Sequence, residues 1–412
     1  MRCIRRGFAP EKQANGCDNG RVIVRWPVLL FLLIVPVLAP QESVAPPVQP
    51  ATPAAPQEEA VPPPPFDEWL GGLIAEARMR GYGDTLIQET IAGLQPLPHV
   101  IANDRNQAEL NPGFARYLSA RLTTRMVADG RRMARANATV LRRIETTYGI
   151  QRRFILAIWG IETRYGHATG GTPEFQALAT LAWDPRRADY FRGELFNALA
   201  MVDRGYIDAR TMTGSWAGAM GQTQFMPSSY LQYAVDFDGD GHRDIWKSTP
   251  DALASIANYL KGSGWNPSQT WGREVRVSDA VLTRINEEIP HRPAGCYAIR
   301  NMTERRPLKE WRALGVTRAD GGRLPTADIA AGLVDVGERK FLVYPNYDAI
   351  LGYNCAHYYA LSVALLADTI QGLLPAPRVS RDRATSSSRR GSAHPAAHPA
   401  RSTPRSARSR RR

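Results

Sequence analysis

The stretch QRRFILAIWGIET, residues 151–163, is the feature that most constrains the fold of this chain. Its apolar side chains do not follow one stripe but occupy nearly every position from Phe154 to Ile161. A helix that is apolar on all sides is stable only in the middle of a protein. The sequence therefore predicts a central helix over about 151–163, and 412 residues are enough to pack other helices around it.

Helical spacing of apolar residues predicts helices elsewhere in the chain. They cover Phe66–Arg80, a segment through Leu141 to Tyr148, one from Phe191 to Val202, one that begins with Thr249 as its N-cap, and one from about Asn354 to Gln371. Residues 273–345 instead show short alternating runs, and GLVDVGERKFLVYP at 332–345 is typical of a β-hairpin. The predicted fold class is α+β: a mostly helical domain over 66–375 with a small antiparallel β insertion at about 273–345.

The ends of the chain differ from its middle. Residues 378–412 carry a net charge of +10 and residues 1–26 a net charge of +4, which leaves −1 of the total +13 for the rest. The basic ends therefore give no reason to expect a nucleic-acid partner. The apolar run VLLFLLIVPVL at 28–38 follows two arginines, which predicts export to the periplasm by a signal peptide within 1–39, or an uncleaved membrane anchor there. Residues 40–65 are expected to form a Pro/Ala-rich linker and residues 376–412 a disordered basic tail.

Two cysteines, Cys296 and Cys355, lie within the predicted domain. An oxidising compartment would permit a disulfide between them, but spacing alone does not give their distance. A disulfide and two separate thiols both remain open at this point.

Glu162 is chemically out of place at the end of the central helix. Burial among apolar side chains raises the pKa of a carboxyl group and keeps it protonated near neutral pH, which is what a general acid requires. A structural glutamate paired with an arginine, or one that turns outward, is the alternative interpretation.

A glycine-rich segment, GSWAGAMGQTQFMPSSY at 214–230, could bring backbone close to a ligand. A plain tight loop would have a similar composition. Ser215 is not expected to act as a nucleophile, since no nearby histidine could serve as its base.

Five motifs occur in order: ETRYG at 162–166, PRRADYF at 185–191, the glycine-rich segment at 214–230, VDFDGDG at 235–241 and NYDAILGYNCAHYYALSV at 346–363. Together they resemble the membrane-bound lytic murein transglycosylase B family, which has a lysozyme-like fold. The resemblance covers about residues 66–372. It implies cleavage of the β-1,4 bond between N-acetylmuramic acid and N-acetylglucosamine in peptidoglycan, leaving 1,6-anhydro-muramyl ends, with Glu162 as acid and then base and no catalytic cofactor.

The resemblance also implies a set of substrate-binding residues: Ser215, Gln224, Tyr353, Asn354, Tyr359, Arg186, Arg187 and Tyr117. Asn354 and Tyr359 would border one groove from the start of the last helix. The arginine pair would reach stem-peptide carboxylates, which suit the planar guanidinium. Core packing of the aromatic side chains and a solvated arginine face are the alternatives. Ala356 departs from the serine that is common in the family.

The segment from Asp236 to Gly241 has the opening spacing of a calcium loop, but Lys247 stands where the closing glutamate is usual. As the family resemblance suggests, Asp251 could replace it. The expected ligands of a structural Ca²⁺ are Asp236, Asp238, Asp240, His242 and Asp251. A metal-free turn is the alternative.

Two rival functions remain. A true hydrolase would need a second carboxylate, for which Asp184 and Asp189 are candidates. A non-catalytic wall-binding protein would not need Glu162 as an acid. Peptidoglycan is the expected partner, with a cell-wall synthesis complex as a further one, and the chain is expected to be a monomer.

Overall fold

A computed structural model describes residues 63–106 and 113–377. The expected signal peptide or anchor, residues 40–62 of the expected linker and residues 378–412 of the expected tail lie outside these ranges. The domain boundaries therefore stay predictions. Within the described ranges no single helix is long and apolar enough to cross a membrane, and one pair bent by 114°, Pro345–Tyr353 with His357–Gln371, passes that test only when its two helices are taken together.

The described residues form sixteen α-helices, two short 3₁₀ turns and seven strands. The helices are α1 Phe66–Met79, α2 Asp84–Thr90, α3 Pro98–Asn106, α4 Phe114–Arg121, α5 Thr124–Ala136, α6 Ala138–Tyr148, α7 Arg152–Thr163, α8 Glu174–Trp183, α9 Ala188–Asp203, α10 Pro227–Tyr233, α11 Thr249–Gly262, α12 Asp279–Glu288, α13 Tyr297–Arg300, α14 Leu308–Ala313, α15 Pro345–Tyr353 and α16 His357–Gln371. The strands are β1 Thr172–Pro173, β2 Thr213–Gly214, β3 Gly272–Arg276, β4 Arg306–Pro307, β5 Thr317–Arg318, β6 Ala330–Asp335 and β7 Lys340–Val343.

The predicted central helix is α7. Its residues from Phe154 to Gly160 are all buried, and the helix packs against α16, α5, α11 and α6. Burial of an apolar surface on every side is what the sequence pattern required. The helix ends at Thr163 because Arg164 adopts a left-handed conformation with φ of 51°. In the last turn of α7, Glu162 is half-buried while Thr163 stays fully buried.

A second hydrophobic core lies between α8, α9 and the first two helices. Phe175 and Leu178 of α8 are buried in it with Phe191 and Leu195 of α9. The short antiparallel pair β1–β2 connects the start of α8 to the segment that follows α9. This core packs against the glycine-rich segment.

The β insertion is an antiparallel sheet with strand order β4-β6-β7-β3-β5. Its centre is the predicted hairpin, in which Leu333 faces Leu342 and Asp335 faces Lys340. A separate cluster that includes Trp311 and Tyr344 covers one side. The predicted α+β class with a small antiparallel insertion is confirmed, but α12, α13 and α14 within it were not predicted.

Two local predictions were wrong. The last helix does not begin at Asn354: α15 ends at Tyr353, the chain bends by 114°, and α16 begins at His357. Asn354 is extended, with φ of −150°. The cap of α11 is Ser248 rather than Thr249, because the Ser248 hydroxyl accepts the bond from the Asp251 amide.

A disulfide joins Cys296 to Cys355 with a Cα–Cα distance of 6.3 Å. Cys296 immediately precedes α13 of the insertion, and Cys355 lies in the bend between α15 and α16. Residues 354–356 are called the α15–α16 corner below. The bond ties this corner to the β insertion.

Candidate active site

Glu162 is held by a tyrosine from another helix. The hydroxyl of Tyr359, in the first turn of α16, donates a hydrogen bond of 2.5 Å to Oε1 of Glu162. Tyr359 is only 4% exposed, so its hydroxyl has little freedom to move. Glu162 as a whole residue is half-buried.

The surroundings of Glu162 place its pKa near neutrality. Burial raises the pKa of this carboxyl to about 7, while the hydrogen bond from Tyr359 and the positive charge of Arg121 pull it down. Among the described residues, no other carboxylate contributes to this shift. A group balanced in this way can give up a proton and take one back at the same pH.

Two of the other predicted tyrosines lie within electrostatic reach of Glu162. The Tyr353 hydroxyl donates 2.7 Å to the carbonyl of Thr223, and its ring packs 4.7 Å from that of Tyr259. The Tyr117 ring lies 5.5 Å from the Tyr358 ring. The carbon of the Arg121 guanidinium sits 3.5 Å above the Tyr117 ring centre. Aromatic faces of this kind suit the apolar faces of sugar rings.

A cavity of about 600 Å³ opens beside Tyr117. Tyr358, Tyr297, Asn301 and His357 also line it. The cavity does not include Glu162 in its lining, but Tyr117 both lines it and lies within electrostatic reach of Glu162. A concave surface of this size suits a ligand.

The glycine loop, residues 214–226, is held by its own side chains. The Ser215 hydroxyl accepts hydrogen bonds from the amides of Ala217 and Ala219, and it is partly exposed. Gln224 has a positive φ of 52°, and its amide donates to the carbonyls of Thr169 and Gly221. Both residues thus fix the shape of the loop, and their roles toward a substrate stay predictions.

Three residues near the site were not predicted. Gln222 accepts a 3.1 Å bond from the indole of Trp159 and donates to the carbonyl of Trp246, so it joins α7 to the loop. Its position in GQTQF, within the glycine-rich segment, is the sequence signal that could have identified it. Arg121 and Glu174 gave none, because their contacts arise from residues far apart in the chain.

The arginine pair has a different environment from the one expected. The guanidinium groups of Arg186 and Arg187 both form ion pairs with the buried carboxylate of Asp104. Their charge also holds the pKa of Asp104 below its usual range. They bind α3 to the start of α9, and contact with stem-peptide carboxylates stays a prediction.

The two candidate second carboxylates are not placed beside Glu162. Asp184 is buried, pairs with Arg105 at 2.8 Å and accepts the amide of Arg186. Asp189 is exposed on α9. Neither carboxylate affects the pKa of Glu162.

Asn354, one of the predicted substrate-binding residues, is exposed at the α15–α16 corner.

The acidic loop brings four carboxylates together. One oxygen from each of Asp236, Asp238, Asp240 and Asp251 lies within 4.8 Å of the others. Asp251 is fully buried and accepts bonds from three backbone amides of the loop, those of Phe237, Asp238 and Asp244. An all-oxygen set fits a hard cation such as Ca²⁺.

The imidazole of His242 does not belong to this group. Its ring is exposed and lines a separate cavity with Tyr206 and Lys247. His242 stands at the seventh place of the loop that begins at Asp236, where the backbone carbonyl is the usual ligand, so its part in binding Ca²⁺ stays a prediction.

The model of the transglycosylase SLT domain family matches residues 65–368. The chain belongs to this family. The match spans every element from α1 to most of α16, so it includes Glu162, the glycine loop and the β insertion.

This transglycosylase resembles several characterised proteins. It is 33% identical over 308 residues to the membrane-bound lytic murein transglycosylase B of Escherichia coli, a match that covers 70% of this chain and 79% of the relative. Among solved structures, SltB3 from Pseudomonas aeruginosa in complex with NAG-anhNAM-pentapeptide is 39% identical, with a TM-score of 0.67 over 74% of this chain and 80% of that one. The Escherichia coli lytic transglycosylase SLT35 in complex with calcium is 31% identical, with a TM-score of 0.62 over 74% of this chain and 93% of that one.

The family that the five motifs predicted is therefore confirmed, together with its fold. Glu162, the candidate acid, lies at the end of the central helix α7 and accepts a hydrogen bond from a tyrosine of α16.

Proposed function

We propose that this lytic transglycosylase cleaves the β-1,4 bond between N-acetylmuramic acid and N-acetylglucosamine, with Glu162 as the only catalytic carboxyl. The observation that carries the proposal is the carboxyl of Glu162, half-buried, bonded to Tyr359 and held at a pKa of about 7. The relative from Pseudomonas aeruginosa was crystallised with a ligand that contains the anhydro sugar, which supports the same product here.

In the first step the protonated Glu162 gives its proton to the glycosidic oxygen. The bond from C1 of the muramic acid to that oxygen then breaks, and N-acetylglucosamine leaves with a free hydroxyl. Positive charge develops at C1 and its ring oxygen. The Glu162 carboxylate, now ionised beside the Tyr359 hydroxyl and the charge of Arg121, is stabilised by both.

In the second step the C6 hydroxyl of the muramic acid attacks C1. Glu162 takes the proton of that hydroxyl as the C6–O–C1 bond forms, and the carboxyl returns to its starting state. Water enters neither step. The pKa near neutrality suits both transfers, since a strong acid could not recover the proton and a weak one could not donate it.

A hydrolase with an inverting or retaining mechanism would place a second carboxyl roughly 5 to 10 Å from the first. Asp184 and Asp189 do not act on Glu162, which favours the single-carboxyl scheme. Mass spectrometry of digested peptidoglycan separates the two functions, because anhydro ends are lighter than hydrated ends by one water molecule. Hydrated ends alone would contradict the proposal.

The variant Glu162→Gln tests the acid directly. It keeps the size of the side chain but has no proton to transfer, so turnover should fall by roughly 10²- to 10⁴-fold. Asp189→Asn, on the exposed face of α9, is the matched control and should stay within about twofold of the parent, as surface changes usually do. Unchanged release of muropeptides by Glu162→Gln would favour a non-catalytic wall-binding role.

The acidic loop would hold a structural Ca²⁺ through Asp236, Asp238, Asp240 and Asp251. The ion would brace the segment between the glycine loop and α11 by bridging four carboxylates and offsetting part of their negative charge. The calcium complex of the SLT35 relative supports this assignment. Catalysis itself is proposed to need no cofactor.

The apolar segment at 28–38 and the peptidoglycan substrate together support export to the periplasm, with a cleaved signal or an uncleaved anchor. The disulfide fits an oxidising compartment. We also propose that the enzyme acts on glycan strands as a monomer. A cell-wall synthesis complex is proposed as a further partner.

A further inference from the structure

A second buried carboxyl lies under the glycine loop and has no part in the proton transfers. Glu174, the first residue of α8, is fully buried, and neither of its oxygens has a hydrogen-bond partner in the described part of the chain. The carboxyl lies directly against two glycines of the loop. A Cβ atom on Gly214 would sit 2.7 Å from Oε2, and one on Gly218 would sit 3.0 Å from Oε1.

The charged groups around Glu174 disfavour its ionised form. Glu194 of α9 repels a second negative charge, and its own carboxylate accepts the amide and hydroxyl of Ser228 at 2.8 and 2.6 Å. The glycine loop, β1, β2 and α10 carry no charged side chain, and the ionic residues of α3 and of the turn after α8 pair with one another at the far end of α8. The positive end of α8 favours an anion, but by a modest amount. Burial is the larger cause and the negative charge of Glu194 the smaller one, and together they raise the pKa of Glu174 to about 8.

We propose that Glu174 is a positioning residue that holds the glycine loop in its binding shape as the neutral acid, and that its ionisation displaces the loop and weakens glycan binding. The inference rests on the proposed function, because it assumes that the loop forms part of the sugar-binding surface.

The physical reason is that both carboxyl oxygens are buried away from bulk solvent and accept no bond from a donor in the described part of the chain. An ionised carboxylate needs water or N–H groups, and leaving it bare costs several kcal/mol. The backbone at Gly214 and Gly218 is the nearest part of the structure that could move to admit water. Ser215 lies between these two glycines, so any such movement changes the surface that it presents.

Binding in a Glu162→Gln background tests the proposal, since this change removes the titration of the catalytic acid. The probe is the peptide-free disaccharide of N-acetylglucosamine and anhydro-muramic acid, and its affinity is measured by calorimetry from pH 6 to pH 9. The affinity should fall by about tenfold per pH unit above pH 8 when Glu174 is present. Adding Glu174→Gln, which is neutral at every pH, should make the affinity constant over this range. The same fall in both proteins would overturn the proposal.

Thermal unfolding gives a readout that does not depend on the substrate. The folded-state pKa of Glu174 is raised, so the folded state loses stability as pH rises from the ordinary glutamate range to about 8. The difference in melting temperature between Glu174→Gln and the parent should therefore widen from pH 5 to pH 8 and then level off. A difference that does not vary with pH would also overturn the proposal.

Glu194→Gln provides a check that leaves Glu174 in place. Without the neighbouring negative charge, the pKa of Glu174 falls, so the midpoints of both pH effects should move to lower pH. If unfolding follows the titration of Glu174 while disaccharide binding does not, the positioning role is wrong. The proposed function is then unaffected, because the loss of turnover in Glu162→Gln tests it separately.

Discussion

At the scale of single residues, the pKa of Glu162 depends on opposing effects, of which burial is the largest. Burial favours its neutral form, while the Tyr359 hydroxyl and the Arg121 charge favour the ionised form. The sequence predicted the burial, because the apolar run before Glu162 is continuous. It could not predict Arg121, and it named Tyr359 only through the family resemblance, because these residues come from α4 and α16 and no local pattern reports their distance from Glu162.

The pH profile should report this balance. Glu162 must be protonated for the first step, so kcat/KM should fall as pH rises through about 7. Tyr359→Phe removes a bond that favours the ionised form, so the fall should move to higher pH, and kcat should drop by about tenfold. Tyr230→Phe, which loses a hydroxyl bond to the Arg243 carbonyl, is the control and should leave the midpoint in place. A midpoint unchanged in Tyr359→Phe would mean that this hydrogen bond does not tune the acid.

At the scale of elements, α7 was predicted from its long, continuous apolar run and the β6–β7 hairpin from its short alternating runs. Their apolar patterns extend over enough residues to distinguish a buried helix from a strand. The α15–α16 bend was missed because no proline between Ile350 and Leu361 marks the break. The helices α13 and α14 have only four and six residues, too few to show a helical period.

The acidic loop is an element whose stability should depend on a metal. Addition of Ca²⁺ at about a hundredfold excess over its Kd should stabilise the protein by about 2.7 kcal/mol, seen as a higher melting temperature than in EDTA. Asp240→Asn should abolish most of this difference, since Asp240 is exposed and its side chain bonds only the His242 amide among the described residues. An equal melting temperature with and without Ca²⁺ would identify the loop as a metal-free turn.

At the scale of the whole molecule, two cores and a sheet meet around the active site. The core around α7 supplies Glu162, the core around α8 and α9 supports the glycine loop, and the disulfide fixes the α15–α16 corner to the insertion. Composition and length predicted one helical body with an insertion. The division into two cores was not predicted, because it depends on which helices pack together, and helical periodicity does not specify partners.

The disulfide should contribute to global stability. It joins cysteines 59 residues apart, and closing a loop of this length in the unfolded chain is worth roughly 4 kcal/mol. A reducing agent should lower the melting temperature of the parent. The double variant Cys296→Ser/Cys355→Ser should melt at the lower temperature whether or not the agent is present. A reductant effect that persists in the double variant would have to come from other cysteines.

Because α7 is buried, Glu162 and the glycine loop should respond differently to heat. Glu162 lies on a helix whose residues from Phe154 to Gly160 are buried. It should therefore keep its position as long as the rest of the protein stays folded. The glycine loop has no such support from a long buried helix, since it begins in the two-residue strand β2 and leads into the short helix α10. Warming toward the melting point should therefore weaken glycan binding first. Glu162 should keep its position until the whole molecule unfolds.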